Sequence, residues 1–293
     1  MSKVKFIAEI SSNHNRDLNR SKIFIKTAAE IGCQGVKFQL FKISQLFTPE
    51  ILLKSKKHRD RERWELPVEF IPELANYTHE LGLEFACTPF YLDAVDELEP
   101  YVDFYKIASY ELLWRELFIK CAETGKPLVF SIGMAIPDEI ESALKTLCTG
   151  KTKEITVMHC NSAYPTPIHD SNLKAISTLK DGLNEYNRML NISFGWSDHT
   201  VSPSVIYRAV HHYNVKYVEF HLDLDGKGEE FSAGHCWLPE QISKVIKTVE
   251  EGYIADGSGI IEPTVSELPD RDWRADPVDG LRPLMKIRKS YNG

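Results

Sequence analysis

Leu190-Asn191-Ile192-Ser193-Phe194-Gly195-Trp196-Ser197-Asp198-His199-Thr200 and Val215-Lys216-Tyr217-Val218-Glu219-Phe220-His221 are the two stretches that decide the fold. Each begins as a short apolar run that reads as a buried strand, and each arrives at an imidazole. Ser202 to His212, between them, has helical character. The result is a strand-helix-strand unit with a histidine at the C-terminal end of two successive parallel strands. In a (β/α)8 barrel, active sites collect at that end.

Working outward, short β-rich runs alternate with longer amphipathic stretches along the whole chain. The runs are Lys5–Glu9, Gly35–Gln39, Glu84–Cys87, Phe104–Ile107, Leu128–Ser131, Ile155–His159, Ile192–Phe194 and Tyr217–His221, eight in all. Helix-like segments lie between most of them: Asn19–Ile31, Leu113–Thr124, Pro137–Leu147 and Asn172–Leu179. Regular βα alternation implies a parallel sheet, and eight units imply closure into an α/β (β/α)8 TIM barrel of one domain. An open doubly wound sheet is the alternative, weakened because no GxGxxG follows the first strand. Residues 1–262 are assigned to the barrel and 263–293 to a polar tail, too short for a core of its own and expected to pack on the barrel or on a partner subunit.

Composition narrows the function. The chain has 293 residues, a formal charge of -7 and 43% hydrophobic residues. That acidity argues against nucleic acid as the main partner. No apolar run approaches the roughly 20 residues that span a bilayer. Met1-Ser2-Lys3-Val4-Lys5 leads into a strand without the apolar stretch of a signal peptide. The six cysteines show no CxxC spacing, which suits a reduced, cytoplasmic setting. Lys54-Ser55-Lys56-Lys57-His58-Arg59-Asp60-Arg61-Glu62-Arg63 is long and charged for a barrel loop. It reads either as a solvated helix face or as a lid or anion-attracting loop at the barrel mouth.

The strand ends carry Glu9, Lys37, Gln39, Thr88, Lys106, Ser109, Glu111, Ser131, His159, Asn161, Tyr164, Ser197, His199 and His221. Strands buried on both faces normally hold Val, Ile and Leu. A lysine there is costly unless it meets an anion, so Lys37 and Lys106 point to a small, multiply charged ligand. Lysines and hydroxyls together suit phosphate or carboxylate. His199 and His221 suit a divalent metal whose other positions are filled by water, substrate or a carboxylate such as Glu9. His211-His212, on the intervening helix, reads as surface.

Several motifs occur in the order of a known family. They are Ala8-Glu9-Ile10 with Asn13-His14-Asn15, Val36-Lys37-Phe38-Gln39, Thr88-Pro89-Phe90, Tyr105-Lys106-Ile107-Ala108-Ser109, Ser131-Ile132-Gly133-Met134, His159-Cys160 with Tyr164-Pro165, and Ser197-Asp198-His199-Thr200. Over roughly residues 4–240 the chain resembles the catalytic barrel of the sialic acid (N-acetylneuraminate) synthase family. The resemblance implies condensation of phosphoenolpyruvate with an N-acetylated amino sugar, N-acetylmannosamine-like, to a nine-carbon 2-keto sugar acid and phosphate. It implies a divalent metal, Mn²⁺ first with Mg²⁺ or Co²⁺ as alternatives, on His199 and His221. Lys37, Thr88, Lys106, Ser109, Ser131, Asn161 and Ser197 would hold phosphoenolpyruvate. Gln39, Glu111 and Tyr164 would face the sugar, and Glu9 would handle the proton of the attacking water; Glu9, Lys106 and Glu111 form the catalytic set.

The chain departs from that family in three places. Gly234 stands where an aspartate is usual, with His235, Glu229, Glu230 or Asp225 as substitutes. Arg16 follows Asn13-His14-Asn15 in place of glycine. No stretch resembles the family's C-terminal antifreeze-like domain, which supplies an arginine to the partner's barrel. Arg274, Arg282 or a separate chain would have to replace it in a homodimer. The alternatives are a related synthase with a different aldose or aldose phosphate, a Schiff-base aldolase using Lys106, and a non-catalytic barrel that needs a partner.

Overall fold

A computed structural model describes residues 3–291; Met1 and Ser2 of the N-terminal reading lie outside it. Among the described residues, eight parallel strands close into a barrel: β1 Lys5–Glu9, β2 Gly35–Leu40, β3 Glu84–Pro89, β4 Phe104–Ile107, β5 Leu128–Ser131, β6 Glu154–Cys160, β7 Asn191–Asp198 and β8 Tyr217–Leu222. β1 pairs with β8 to close the ring, with Glu9 opposite His221. A two-residue strand, β9 Cys236–Trp237, extends the end of β8. The closed ring removes the open-sheet alternative.

The pleat explains the unusual strand composition. Successive side chains point to opposite faces, so every second residue looks into the barrel. Ile7, Ala86, Phe104, Val129 and Met158 form one apolar cluster inside, with Tyr217 packed against it. Two residues further along the same strands stand Glu9, Thr88, Lys106, Ser131 and Cys160; β8 continues from Tyr217 to Glu219 and His221. The interior therefore changes from apolar to charged towards the C-terminal ends. The alternate residues Phe6, Val36, Phe38, Phe85, Tyr105, Phe130 and Trp196 are buried towards the helices.

The helices follow from their caps and periodicity. Asp17 caps Leu18–Glu30 by accepting from the Arg20 N–H at 3.0 Å. That helix buries Ser21, Phe24, Ile25 and Ala28, a stripe at i, i+3, i+4 and i+7. Pro137–Cys148 starts with proline, and Glu139 accepts from the Ile136 N–H at 2.9 Å. It buries Ile140, Ala143, Leu144 and Leu147, each fully buried aliphatic being worth about 1.5–3 kcal/mol.

Differences from the sequence reading sit at element ends. β7 runs four residues past Phe194, to Asp198, because Ser197 and Asp198 face polar partners in a buried setting rather than solvent. The helix expected at Asn172–Leu179 is Ala175–Gly182. After β7 the chain forms Pro203–Tyr207 and then a π turn, Arg208–His212, with His211 and His212 exposed. The charged segment folds into Pro49–Lys54, Lys56–Arg59 and the 3-10 stretch Asp60–Trp64.

The chain divides into two compact units, one ending at Gly252 and one beginning at Tyr253, against the sequence division at 262. In the second, Asp276 accepts from the N–H groups of Val278 and Met285 at 3.0 and 2.7 Å, and Arg288 pairs with Asp279. Arg274 and Arg282 belong to this unit. No helix among the described residues is long and apolar enough to cross a membrane.

Candidate active site

The C-terminal strand ends open into a cavity of about 740 Å³ in the first unit, within the size range of small-molecule sites. Ten of the thirteen residues expected at the site line it: Lys37, Gln39, Lys106, Ser109, Glu111, Ser131, Tyr164, Ser197, His199 and His221. Glu9, Thr88 and Asn161 do not. Glu9 is buried beside the wall as the counter-ion of Lys37, and it accepts from Gln39 Nε2 at 2.9 Å. Thr88 Oγ1 accepts from Lys37 Nζ at 3.2 Å. Asn161 contributes its backbone carbonyl, 2.7 Å from His199 Nδ1.

Glu219 organises the floor, a role the sequence reading passed over. Its carboxylate lies 3.6 Å from Lys106 Nζ and 3.9 Å from Lys37 Nζ, and it accepts from Ser197 Oγ at 3.3 Å. Burial alone would raise its pKa; the two lysines outweigh burial and hold it well below the usual carboxylate range. The same burial lowers Lys106, aided by repulsion from Lys37. Lys37, between Glu219 and Glu9, is instead pushed up against the effect of burial. Ser131 Oγ is buried with no protein partner, which marks it for a ligand. Ser109 Oγ accepts from the Gly133 N–H at 3.0 Å. A Cβ at Gly133 would stand 2.9 Å from that oxygen and 2.1 Å from Ser162 Oγ, so a larger residue would displace both hydroxyls.

The histidines make a second group. His199 and His221 have ring centroids 5.4 Å apart, and Tyr164 stacks 4.1 Å from His199. Burial drives His199 down to about 3, so it stays neutral. With Nδ1–H donated to Asn161, its Nε2 is left as a free lone pair. His221 Nδ1 lies 2.8 Å from Glu230 Oε2, and His235 Nε2 lies 3.5 Å from the same oxygen. Burial would lower His221, yet hydrogen bonds to Cys236 and Glu230 raise it well above the ordinary value. Glu230 is correspondingly held far down, chiefly by His221 and His235 acting against burial. Ligand atoms of His221, Glu230, His235 and Cys236 lie within 4.8 Å of one another. His235 Nδ1 is buried and unpartnered. These donors are of the types a divalent metal takes, imidazole and carboxylate, with His221 giving up its proton on binding and neighbours that orient the rings. Gly234, at φ 96° before His235, is the left-handed cap of the helix Glu229–Ala233 that carries Glu230.

Asp198 takes no part in orienting His199. It ties down β7 by accepting from Trp196 Nε1 at 3.1 Å, Trp237 Nε1 at 3.0 Å and Thr200 Oγ1 at 2.7 Å. Glu111 lines the cavity with one carboxyl oxygen unpartnered, and burial pushes it up to about 7 although Lys106 and Lys37 pull the other way.

Part of the outer wall comes from the charged segment, which is solvated on one side and lines the cavity on the other. Lys54, Lys56, Lys57, Arg59 and Arg63 are exposed. Phe47, His58, Arg61 and Trp64 line the cavity. The strand alternation could have revealed Glu219, two residues before His221; no local pattern in the segment distinguishes Arg61 from Arg59 or Arg63.

This fold and site define a barrel enzyme with a cation- and imidazole-rich cavity at its strand ends. The NeuB family model matches residues 24–261, and the chain belongs to that family. It is 32% identical to an N,N'-diacetyllegionaminic acid synthase of Campylobacter jejuni, over 91% of this chain and 81% of that one. It is 29% identical to an N-acetylneuraminate-9-phosphate synthase of Mus musculus, over 90% of this chain and 73% of that one. The crystal structure of an N-acetylneuraminic acid synthetase from Leptospira borgpetersenii serovar Hardjo-bovis superposes with a TM-score of 0.78 at 26% identity, covering 92% of this chain and 90% of that one. Membership makes the chain a transferase of the sialic- and nonulosonic-acid synthase type, condensing phosphoenolpyruvate with an amino sugar.

Proposed function

We propose that the chain joins phosphoenolpyruvate to an N-acetylated amino sugar of the N-acetylmannosamine type, giving a nonulosonate and inorganic phosphate, with a divalent metal. The observation that carries this reading is the convergence of Lys37, Lys106, Ser131, Ser197, His199 and His221 on one cavity. The first four receive the phosphate and carboxylate of phosphoenolpyruvate. Glu9 and Glu219 offset the positive charge of the buried lysines, which lowers the cost of holding them dry. Fixed donors stabilise charge that moves from enol phosphate to free phosphate without reorganising.

In the reaction, C3 of phosphoenolpyruvate attacks the open-chain aldehyde of the acceptor. Water adds at C2, the C2–O bond breaks, and phosphate leaves with the bonding pair. His199 and His221, with Glu230 and His235 alongside, would hold a divalent cation (Mn²⁺ first, Mg²⁺ or Co²⁺ as alternatives), which would supply Lewis-acid polarisation of the aldehyde. Glu111 takes the proton of the attacking water, since its carboxyl titrates near 7 and reaches the cavity. Glu9, held by Lys37 and Gln39, acts as a counter-ion rather than as that base. Gln39 and Tyr164 orient the sugar. Juxtaposing the two substrates is itself worth up to about 7–11 kcal/mol.

The six free cysteines suit a cytoplasmic enzyme. A homodimer is the assembly the family resemblance favours, and light scattering reads it directly. The test of the reaction is phosphate release from phosphoenolpyruvate with Mn²⁺ and a panel of N-acetylhexosamines, with and without EDTA. Release that requires both sugar and metal is expected. Release without sugar, or none with any member of the panel, overturns the reading.

A further inference from the structure

Arg61 is a cation in the cavity wall that the condensation, as described, does not use. Its guanidinium lies over two rings, 5.5 Å from the centroid of Phe47 and 5.6 Å from that of Trp64. His58 closes the same aromatic corner, edge-on to Phe47 at 4.7 Å. Arg61 Nε is buried and has no hydrogen-bond partner. A buried guanidinium N–H without an acceptor is rare enough to need a reason.

The neighbouring cations are committed elsewhere. Arg63 makes a two-pronged contact with Glu229 at 2.7 and 2.9 Å. Arg59 donates to the carbonyls of Leu52 and Leu53. Arg16 donates to the Glu62 carbonyl at 2.9 Å, and Lys42 lies 3.4 Å from Glu97. Among the cavity's carboxylates, Glu219 is committed to the lysines and Glu230 to the histidines, and Glu111, with one oxygen unpartnered, makes no ion pair with Arg61 within 4.0 Å. Arg61 thus presents an uncompensated charge to the cavity, pre-oriented by two aromatic faces. A planar guanidinium fork held this way matches a phosphate or carboxylate group.

We infer that Arg61 is the receptor for an anionic substituent, a phosphate ester or carboxylate, on the end of the acceptor remote from its aldehyde. The inference rests on the proposed condensation for its orientation. Phosphoenolpyruvate occupies the strand ends, and the segment after β2 contributes Phe47, His58, Arg61 and Trp64 to the wall beyond them. It also assigns to this chain's own barrel a sugar-facing arginine, without recourse to Arg274, Arg282 or a second polypeptide.

The test compares N-acetylmannosamine, its 6-phosphate and the corresponding uronate as acceptors for the full chain and for Arg61→Ala, Arg61→Lys and Lys57→Ala, with phosphoenolpyruvate affinity measured separately. Expected is a preference of roughly 10- to 100-fold in kcat/KM for one anionic acceptor over the neutral sugar. Which acceptor it is tells phosphate from carboxylate. Arg61→Ala abolishes the preference through acceptor KM, Arg61→Lys restores part of it, and Lys57→Ala, an exposed cation on the same segment, retains it. A preference for the neutral sugar, an anionic preference that survives Arg61→Ala, or an equal rise in phosphoenolpyruvate Kd overturns the inference. If no acceptor turns over, calorimetry with the 6-phosphate and the uronate decides: binding of either that is lost only in the Arg61 variants upholds the anion site, and equal or absent binding overturns it.

Discussion

Two walls of one cavity are built on different physical principles. At the strand ends, Lys37, Lys106, Glu9 and Glu219 are cross-paired, with Glu219 reaching both lysines within 3.9 Å. On the segment after β2, Arg61 rests on Phe47 and Trp64 and meets no carboxylate within 4.0 Å among the described residues. The floor is an internally neutralised polar core whose geometry the barrel register dictates. The outer wall is a loop surface that presents charge outward, for something to bring the counter-charge. On the proposed reading, the floor serves the reaction shared by the family, and the wall tells one acceptor from another.

The largest effect expected concerns the floor's imidazoles. His221→Ala should lower metal-dependent kcat/KM by about three orders of magnitude or more, about 4 kcal/mol of barrier, while circular dichroism retains the barrel signature. Turnover within a few-fold of the parent would remove His221 from the metal site. Next comes stability. Lys37→Ala leaves Glu9 buried without its cation, and loss of one partner of a buried pair costs about 3–5 kcal/mol. Urea denaturation should show it as a lower midpoint at unchanged m; a shift equivalent to a surface change would mean that the pair is not the closed unit described above. Lys106→Ala should then weaken phosphoenolpyruvate far more than the acceptor, and an equal loss of both would blur the floor-and-wall distinction.

The smallest effect is a pH dependence. Burial raises Glu111 to about 7, so as a base it gains activity while pH rises through that value. Glu111→Gln should be slow and flat there. The linked stability runs the opposite way. A carboxyl with a raised folded pKa contributes fully below its unfolded value, near 4.5, and that contribution is lost as pH rises through about 7. Parent and variant should therefore draw apart in denaturation midpoint from acid to neutral pH, with the parent losing ground. A parallel course would assign Glu111 to the solvated part of the wall.

The barrel was legible because its signals are local and periodic. β1, β4 and β5 begin and end where the apolar runs do. β7 was cut short because Ser197 and Asp198 are polar, and polarity normally marks a strand's exit from the core; here Trp196, Trp237 and Thr200 satisfy Asp198 inside it. Lys37, Lys106, His199 and His221 stood out as costly residues at strand ends. Glu219 was equally costly and was passed over, though it shares the alternation of His221. For Glu9 the sequence leaves base and counter-ion equally open, because a carboxylate at a strand end can be either; its contact with Lys37 favours the counter-ion.

The sequence by itself determined the parallel barrel, the polar character of its C-terminal end and the identity of ten cavity-lining groups. Those properties depend on period-two alternation and on the penalty for burying charge, both of which act over a few residues. The tertiary structure decided how the charges pair, which imidazole nitrogens stay free, and that Glu230, His235 and Arg61 join the site. Those outcomes depend on distances between segments remote in the chain: Glu230 reaches His221 and Ser12 at once, across 218 positions in the second case. Pairing of this kind is a property of the closed ring, where strands far apart in sequence are brought within the length of a side chain.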